Sequence, residues 1–358
     1  MLLKTIRHFG GAALLTVCFG LLIMLPQTAA AAMREGLTLC GTVILPSLFP
    51  FFVCSQLFVL LGFSARVSTR LAKPSARLLR LPAPAASAFL AGLAGGYPAG
   101  AQLIGSIYES GALGREDAER ALAVCNQAGP SFIFGVLGGS VLKSPALGAC
   151  LYLIQLLSAL LVCRLTGSRG SFPAGMSAAR QPAMSFAAAF SQAVHRAGMS
   201  AIQICMYVCV FCVLCRYLQL AVGAYLPPAL APLLLGTLEL SGGCAALSGC
   251  PLPPTAKLCL ASALLSFGGL CVHAQIRAVA ADSGLRGTRL LPVKLLQAGV
   301  SFLLCLFFCA VFRPQHWQVP ATAGSQIPIA QLSLLMSSTL CLIFRKLHSS
   351  ISAEHRVY

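Results

Sequence analysis

A chain of 358 residues in which 58% are hydrophobic, 9% are charged and the mean hydropathy is +0.85 is too apolar for a water-soluble globule. Its net charge of +17, from 25 Lys and Arg against 8 Asp and Glu, would suggest nucleic acid in a soluble protein. In a membrane chain the excess sets orientation instead, so the expected partner is the lipid bilayer and nucleic acid is excluded.

Ten apolar runs follow one another: residues 9–31, 37–63, 85–108, 121–142, 146–163, 199–220, 229–247, 258–274, 295–312 and 329–344. A membrane-crossing helix needs about 20 residues, so several runs are marginal. No alternating pattern of barrel strands occurs, and the fold class expected is an all-α polytopic membrane protein. The first run follows Lys4 and Arg7 and leads to the small residues 29–32, which also fits a secretory signal with a cleavage site.

Basic residues orient the runs. Arg66, Arg70, Lys73, Arg77 and Arg80 fill residues 64–80 without an acid, and Arg164, Arg169, Arg180 and Arg196 do the same for 164–196. These loops, the one with Arg277, Arg286, Arg289 and Lys294, and the tail from Arg345 are expected to be cytoplasmic. The uncharged stretches 221–228 and 314–328 are expected outside. Run 37–63 then crosses inward and its counterpart 199–220 outward, which makes two inverted-topology repeats. In each repeat two apolar segments lie between loops on opposite sides, so one is broken or re-entrant.

Two glycine-rich breaks mark the repeat: Gly95-Gly96-Tyr97-Pro98-Ala99-Gly100 and Glu239-Leu240-Ser241-Gly242-Gly243. Gly95 and Gly242 are 147 residues apart, as are Pro145 and Pro292, which open later apolar segments. Paired interruptions of this kind point to a transport site. A second break in each half, Asn126-Gln127-Ala128-Gly129-Pro130-Ser131-Phe132 and Ser266-Phe267-Gly268-Gly269, has an offset of 135 from Ser131 to Ser266. The surplus in the first half is residues 110–121, whose charges are expected to form a solvated turn with local ion pairs.

Broken helices expose free N–H groups at one end and free carbonyls at the other, suited to an anion and a cation respectively. The candidate substrate-binding residues are therefore Gly95, Gly96, Tyr97, Pro98, Asn126, Gln127, Ser131, Ser241, Gly242, Gly243, Ser266 and Gly268. The bland alternative for the glycines is close helix packing. Glu239, the one acid in an expected membrane segment, is the candidate for binding a coupling Na+ or H+; the alternatives are an interhelical ion pair or a protonated hydrogen-bonding acid. Ser241 with His273 would be the pair for an intramembrane hydrolase, a reading ranked last. The 17 cysteines lie mostly in apolar runs and read as small hydrophobes, with Cys212 and Cys215 a weak metal or redox signal. No Walker loop, H-E-x-x-H or haem motif is present, so no enzyme, metal or resident cofactor is expected.

Leu45-Pro46-Ser47-Leu48-Phe49-Pro50-Phe51-Phe52, the Gly95 motif and Cys125-Asn126-Gln127-Ala128-Gly129-Pro130-Ser131-Phe132-Ile133-Phe134-Gly135 resemble the sporulation integral membrane proteins of the YlbJ type. That group carries nucleoside-recognition Gate domains and is related to concentrative nucleoside transporters. The resemblance covers about residues 35–315 and is looser in the second half, where Ser241 stands in place of a threonine. It implies Gate-like repeats at 35–165 and 197–312 joined by a basic linker at 166–196; apolar runs and charge add an N-terminal transmembrane helix at 1–34 and an outer loop, last helix and basic tail at 313–358. It further implies transport in the membranes of a spore-forming bacterium, with dipicolinate or a nucleoside as cargo. Further copies of the chain or other sporulation membrane proteins would be partners.

Overall fold

The computed structural model describes residues 16–63, 75–167, 184–223, 225–227 and 230–312, and among these every regular element is helical. Most of the basic loop 64–80, the middle of the linker, the outer loop, the last apolar run and the tail lie outside the described residues.

The first described helices are sharply bent against each other. Helix α1 (Thr16–Met24) meets α2 (Pro26–Leu39) at 98°, because the ring of Pro26 keeps Leu25 out of helical geometry while serving well as the first residue of α2. A wide-turn stretch, Cys40–Ile44, leads to α3 (Leu45–Leu60), which carries Pro50 inside it. After a short wide-turn segment at Ser75–Leu79 come α4 (Ala83–Gly95), α5 (Ala99–Glu109) and α6 (Arg115–Val124). An irregular passage at 126–129 and wide turns over Ser131–Val141 lead to α7 (Pro145–Thr166), whose first turn is capped by Ser144 Oγ accepting from Leu147 N.

The second half begins with α8 (Phe186–Val222), capped in the same way by Ser185. It continues with α9 (Ala231–Leu238), α10 (Leu240–Gly249), α11 (Pro254–Phe267), α12 (Gly269–Asp282) and α13 (Leu290–Phe312). Four stretches have the length and composition to cross a bilayer: α7 with 22 residues, α8 with 37, α11–α12 with 29 together and α13 with 23. The bent α1–α2 pair makes a fifth if its two arms form one span.

The outer surface is that of a protein solvated by lipid. Leu153, Leu157, Leu161 and Leu165 recur every four residues along α7 and are all exposed, as are Met199, Ile202, Met206 and Val210 on α8 and Leu303 and Phe307 on α13. Buried between other helices on α7 are Gln155 and Ser158. Apolar outside and amide inside reverses the usual order of a water-soluble protein. The chain is a multi-pass integral membrane protein. Gly36 brings α2 onto α8, since a methyl group there would fall 3.0 Å from Cys209 Cα. Cys205 and Cys209 are buried in that contact, as expected of small hydrophobes.

Runs 85–108 and 229–247 are not single helices. A methyl group on Gly92 would lie 3.5 Å from Gly100 Cα, and one on Gly243 would lie 2.0 Å from Gly236 Cα. Residues seven or eight apart on a straight helix are separated by about 10–12 Å. Both segments therefore fold back, α4 on α5 and α9 on α10, as hairpins with arms of 13, 11, 8 and 10 residues. No arm alone reaches the roughly 20 residues a crossing requires. The breaks fall at residues 96–98 and at Glu239, so Gly242 and Gly243 sit inside the first turn of α10 rather than at the break.

The surplus segment of the first half is only partly solvated. Arg120 pairs locally with Glu116 and with Asp117, the latter at 3.2 Å. Glu119, however, is buried and accepts the backbone N–H groups of Arg286 at 2.5 Å and Thr288 at 3.1 Å, while Arg115 donates to Gly284 O. The insertion thus fixes the loop that precedes α13.

Candidate functional site at the hairpin tips

The two hairpin tips meet on the kink between α11 and α12. Gly268 and Gly269 have φ of +86° and +77°, and only residues without a side chain adopt such values readily. Tyr97, at the first tip, lies against Gly268 and donates its hydroxyl to Leu265 O at 2.7 Å. The second tip lies against Gly269, where a methyl group would fall 3.2 Å from both Gly236 O and Leu240 N. The first tip also rests on the irregular passage 126–129, because Gly129 approaches Gly96 Cα and Gly95. Gly92 and Gly100 leave room for the carbonyl of Cys125, which methyl groups would meet at 1.7 and 2.0 Å.

The free ends of the broken helices are already supplied with partners. Asn126 joins two of them: its Oδ1 accepts from Ala101 N at 2.9 Å in the first turn of α5, and its Nδ2 donates to Leu122 O at 2.7 Å near the end of α6. Gln127 Nε2 donates to Val124 O at 2.8 Å, another terminal carbonyl of α6. Glu239 is the N-cap of α10, accepting from Ser241 N at 3.0 Å and Gly242 N at 2.6 Å. An anion binding at α10 would compete with that carboxylate.

Behind the first tip lies a polar network. Lys294 is completely buried; its Nζ donates to Asn126 O and, at 2.9 Å, to Gln297 Oε1, and sits 5.5 Å from the centre of the Tyr97 ring. Gln297 Nε2 donates to Gln127 Oε1 at 2.7 Å, and Gln155 Nε2 donates to Ala128 O at 3.2 Å. Among the described residues Lys294 makes no ion pair with a carboxylate. Buried amines without counter-charge are costly and mark working positions in membrane proteins.

Of the expected site residues, Gly95, Gly96, Tyr97, Pro98, Asn126, Gln127 and Gly268 come together at the first tip and the kink. Ser266 is buried beside the kink, its Oγ without a hydrogen-bond partner among the described residues. Ser241 and Gly242 serve Glu239 through their backbone, whereas Gly243 packs on α9. The side chain of Ser131 lies outside the described ones. His273 Nε2 is at 2.9 Å from Phe267 O, and its ring lies tilted by 39° against that of Phe267, centroids 4.7 Å apart.

Lys294 corrects the sequence reading, which placed it among the basic residues of a cytoplasmic loop. The signal was its register: Lys294, Gln297 and Ser301 share one face of α13, and Ser301 Oγ meets Ser262 Oγ at 2.7 Å on α11. Gln155 and Gln297 belong to the same network.

Fold and site together define a helical multi-pass membrane protein with two broken hairpins converging on a buried polar centre. Over 126 residues it is 32% identical to the sporulation integral membrane protein YlbJ of Bacillus subtilis (strain 168). The matched stretch covers 35% of this chain and 31% of that relative, so about a third of each. No family model matches the chain, and no solved structure matches it.

Proposed function

We propose that the chain is a secondary transporter for a small organic anion, working in the membranes of a sporulating cell, with its cargo held where the two hairpin tips meet the Gly268–Gly269 kink. The observation that carries this reading is the convergence of two broken hairpins, from distant parts of the chain, on one centre that contains a buried lysine with no carboxylate beside it. Broken helices at a buried centre are how many transporters bind cargo and coupling ions. The two hairpins enter from opposite faces of the membrane as inverted repeats, and rocking of one against the other opens the centre alternately. The sporulation setting comes from the partial likeness to the Bacillus subtilis protein.

The resemblance to YlbJ-type proteins makes dipicolinate the first cargo to test. A rigid aromatic dicarboxylate offers one carboxylate to Lys294 and a ring face to Tyr97 or Phe267. Uridine is the competing candidate from the same resemblance. The test is uptake of labelled dipicolinate and labelled uridine into proteoliposomes, with and without imposed sodium and proton gradients, beside empty liposomes. Saturable dipicolinate uptake supports the proposal, uridine uptake alone replaces the cargo, and no uptake of either by folded protein leaves a non-transporting sporulation scaffold as the better reading.

A further inference from the structure

Coupling-cation sites in broken-helix proteins are built from carbonyl oxygens freed where a helix unwinds, near the negative end of its dipole. Such a place exists where α6 ends and residues 126–129 form no regular element. The oxygen offered there is Asn126 O, joined by the amide oxygen of Gln297, and what both accept from is the ammonium of Lys294. The acceptors are neutral oxygens, the usual donors to a hard cation. The Tyr97 ring supplies a face to the same charge.

The ionisable groups facing Lys294 from the packed elements are the Tyr97 phenol at the first tip, the Cys125 thiol, the Cys163 thiol on α7 and the His273 imidazole on α12. None of them is a carboxylate. A tethered amine differs from a bound metal ion in one respect that matters for coupling: it cannot leave, but it can surrender its proton.

We propose that Lys294 is a built-in substitute for a coupling cation, so that the centre is independent of sodium and is linked instead to the proton that the amine releases to water on one side and regains on the other. The purpose of this device rests on the transport reading, but the substitution itself is testable without any cargo. Thermal unfolding of the purified full chain is compared in sodium chloride and choline chloride at equal ionic strength, for wild type and Lys294→Ala. The wild-type midpoint is expected to be the same in both salts. Lys294→Ala, with its oxygens freed, is expected to unfold at lower temperature in choline and to recover part of the loss in sodium, because an ion bound only by the folded state raises the midpoint.

A wild-type midpoint that rises with sodium overturns the proposal, and so does a folded Lys294→Ala that ignores sodium. If Lys294→Ala does not fold, the wild-type salt comparison still decides. Lys294→Arg adds an independent arm, since a guanidinium keeps the charge and cannot release its proton. It is expected to fold and to lose uptake of dipicolinate driven by a proton gradient; full gradient-driven uptake overturns the proton link. Absence of uptake by wild type counts against the transport reading, while the salt comparison still judges the cation substitution.

Discussion

The carboxylate of Glu239 accepts the backbone N–H of Gly242 at 2.6 Å, three residues further on, and so closes the first turn of α10. A second bond, from Ser241 N at 3.0 Å, uses its other oxygen. The charge sits at the positive end of a helix dipole, which favours it by about 0.3–1 kcal/mol at exposed sites and more in partly buried ones. Glu239→Ala should therefore destabilise the protein by about 1–2 kcal/mol, the usual loss on removing an N-cap. Glu239→Gln keeps one acceptor and should cost less. Thermal unfolding in detergent separates the two. Uptake by Glu239→Gln that retains its gradient dependence would show that the acid caps a helix and does not carry the coupling ion.

The adjacent glycines of α10 should behave oppositely. A methyl group on Gly243 would meet Gly236 Cα at 2.0 Å, Gly236 N at 2.3 Å and Pro232 O at 3.0 Å, all of them backbone. Nothing there yields without parting the arms of the hairpin, and Gly243→Ala should cost about 1–3 kcal/mol or more through overpacking. On Gly242 the nearest atom is Glu239 Oε2 at 3.3 Å. Gly242→Ala also gains about 0.5–1 kcal/mol from reduced backbone freedom in a helix interior, so its net effect should be close to zero. Equal losses at the two positions, measured by thermal unfolding, would contradict this packing account.

Much of the fold was legible because apolar length and glycine spacing are strong signals in a membrane chain. The breaks at Gly95–Gly96 and near Glu239 were visible, since proline and paired glycines interrupt otherwise uniform segments. The matching offset of 147 residues nevertheless set Gly95 beside Gly242, whereas the second chain reversal falls at Glu239. Composition does not say which residue of a small-residue cluster makes the turn; Gly243 had to be small for packing, a need that exists only once α9 lies against α10. Lys294 was hidden by its neighbours in sequence, because it follows Arg286 and Arg289 and joins their run of positive charge. The hydrogen bond that distinguishes it reaches Asn126, 168 positions earlier, which no local pattern records. The same distance hid Glu119, which looked like one more member of a solvated charged turn.

Glu119 gives a direct contrast with the acid three positions before it. Its carboxylate holds the N–H groups of Arg286 and Thr288 and is itself buried, whereas the Glu116 side chain is 68% exposed. Removing the acceptor leaves both donors without it, so Glu119→Ala should cost about 1–3 kcal/mol for each group that fails to find water. Glu116→Ala breaks exposed ion pairs with Arg120 and Arg289 and should change stability by no more than about 1 kcal/mol. Hydrogen exchange in the loop before α13 should quicken in Glu119→Ala and stay as in wild type in Glu116→Ala. Exchange that quickens equally in both would mean that this loop is held by the surface ion pairs instead.

Asn126 offers the sharpest test of how the tips are held, because its amide serves two helix ends with opposite needs. The oxygen satisfies a donor of α5 and the nitrogen satisfies an acceptor of α6, both in the buried interior. Asn126→Leu abolishes both bonds, and at about 1–3 kcal/mol for each buried group left unpaired it should be among the most damaging single changes at the centre. Asn126→Asp keeps the acceptor and adds a negative charge at the positive end of α5, but it sets a carboxylate oxygen against Leu122 O at the negative end of α6. The two variants are therefore separated by exchange rather than by stability: the amide of Ala101 should remain protected from hydrogen exchange in Asn126→Asp while exchanging faster in Asn126→Leu. If Ala101 stays protected in both variants, the start of α5 does not depend on Asn126, and the first tip is fixed by the glycine contacts alone.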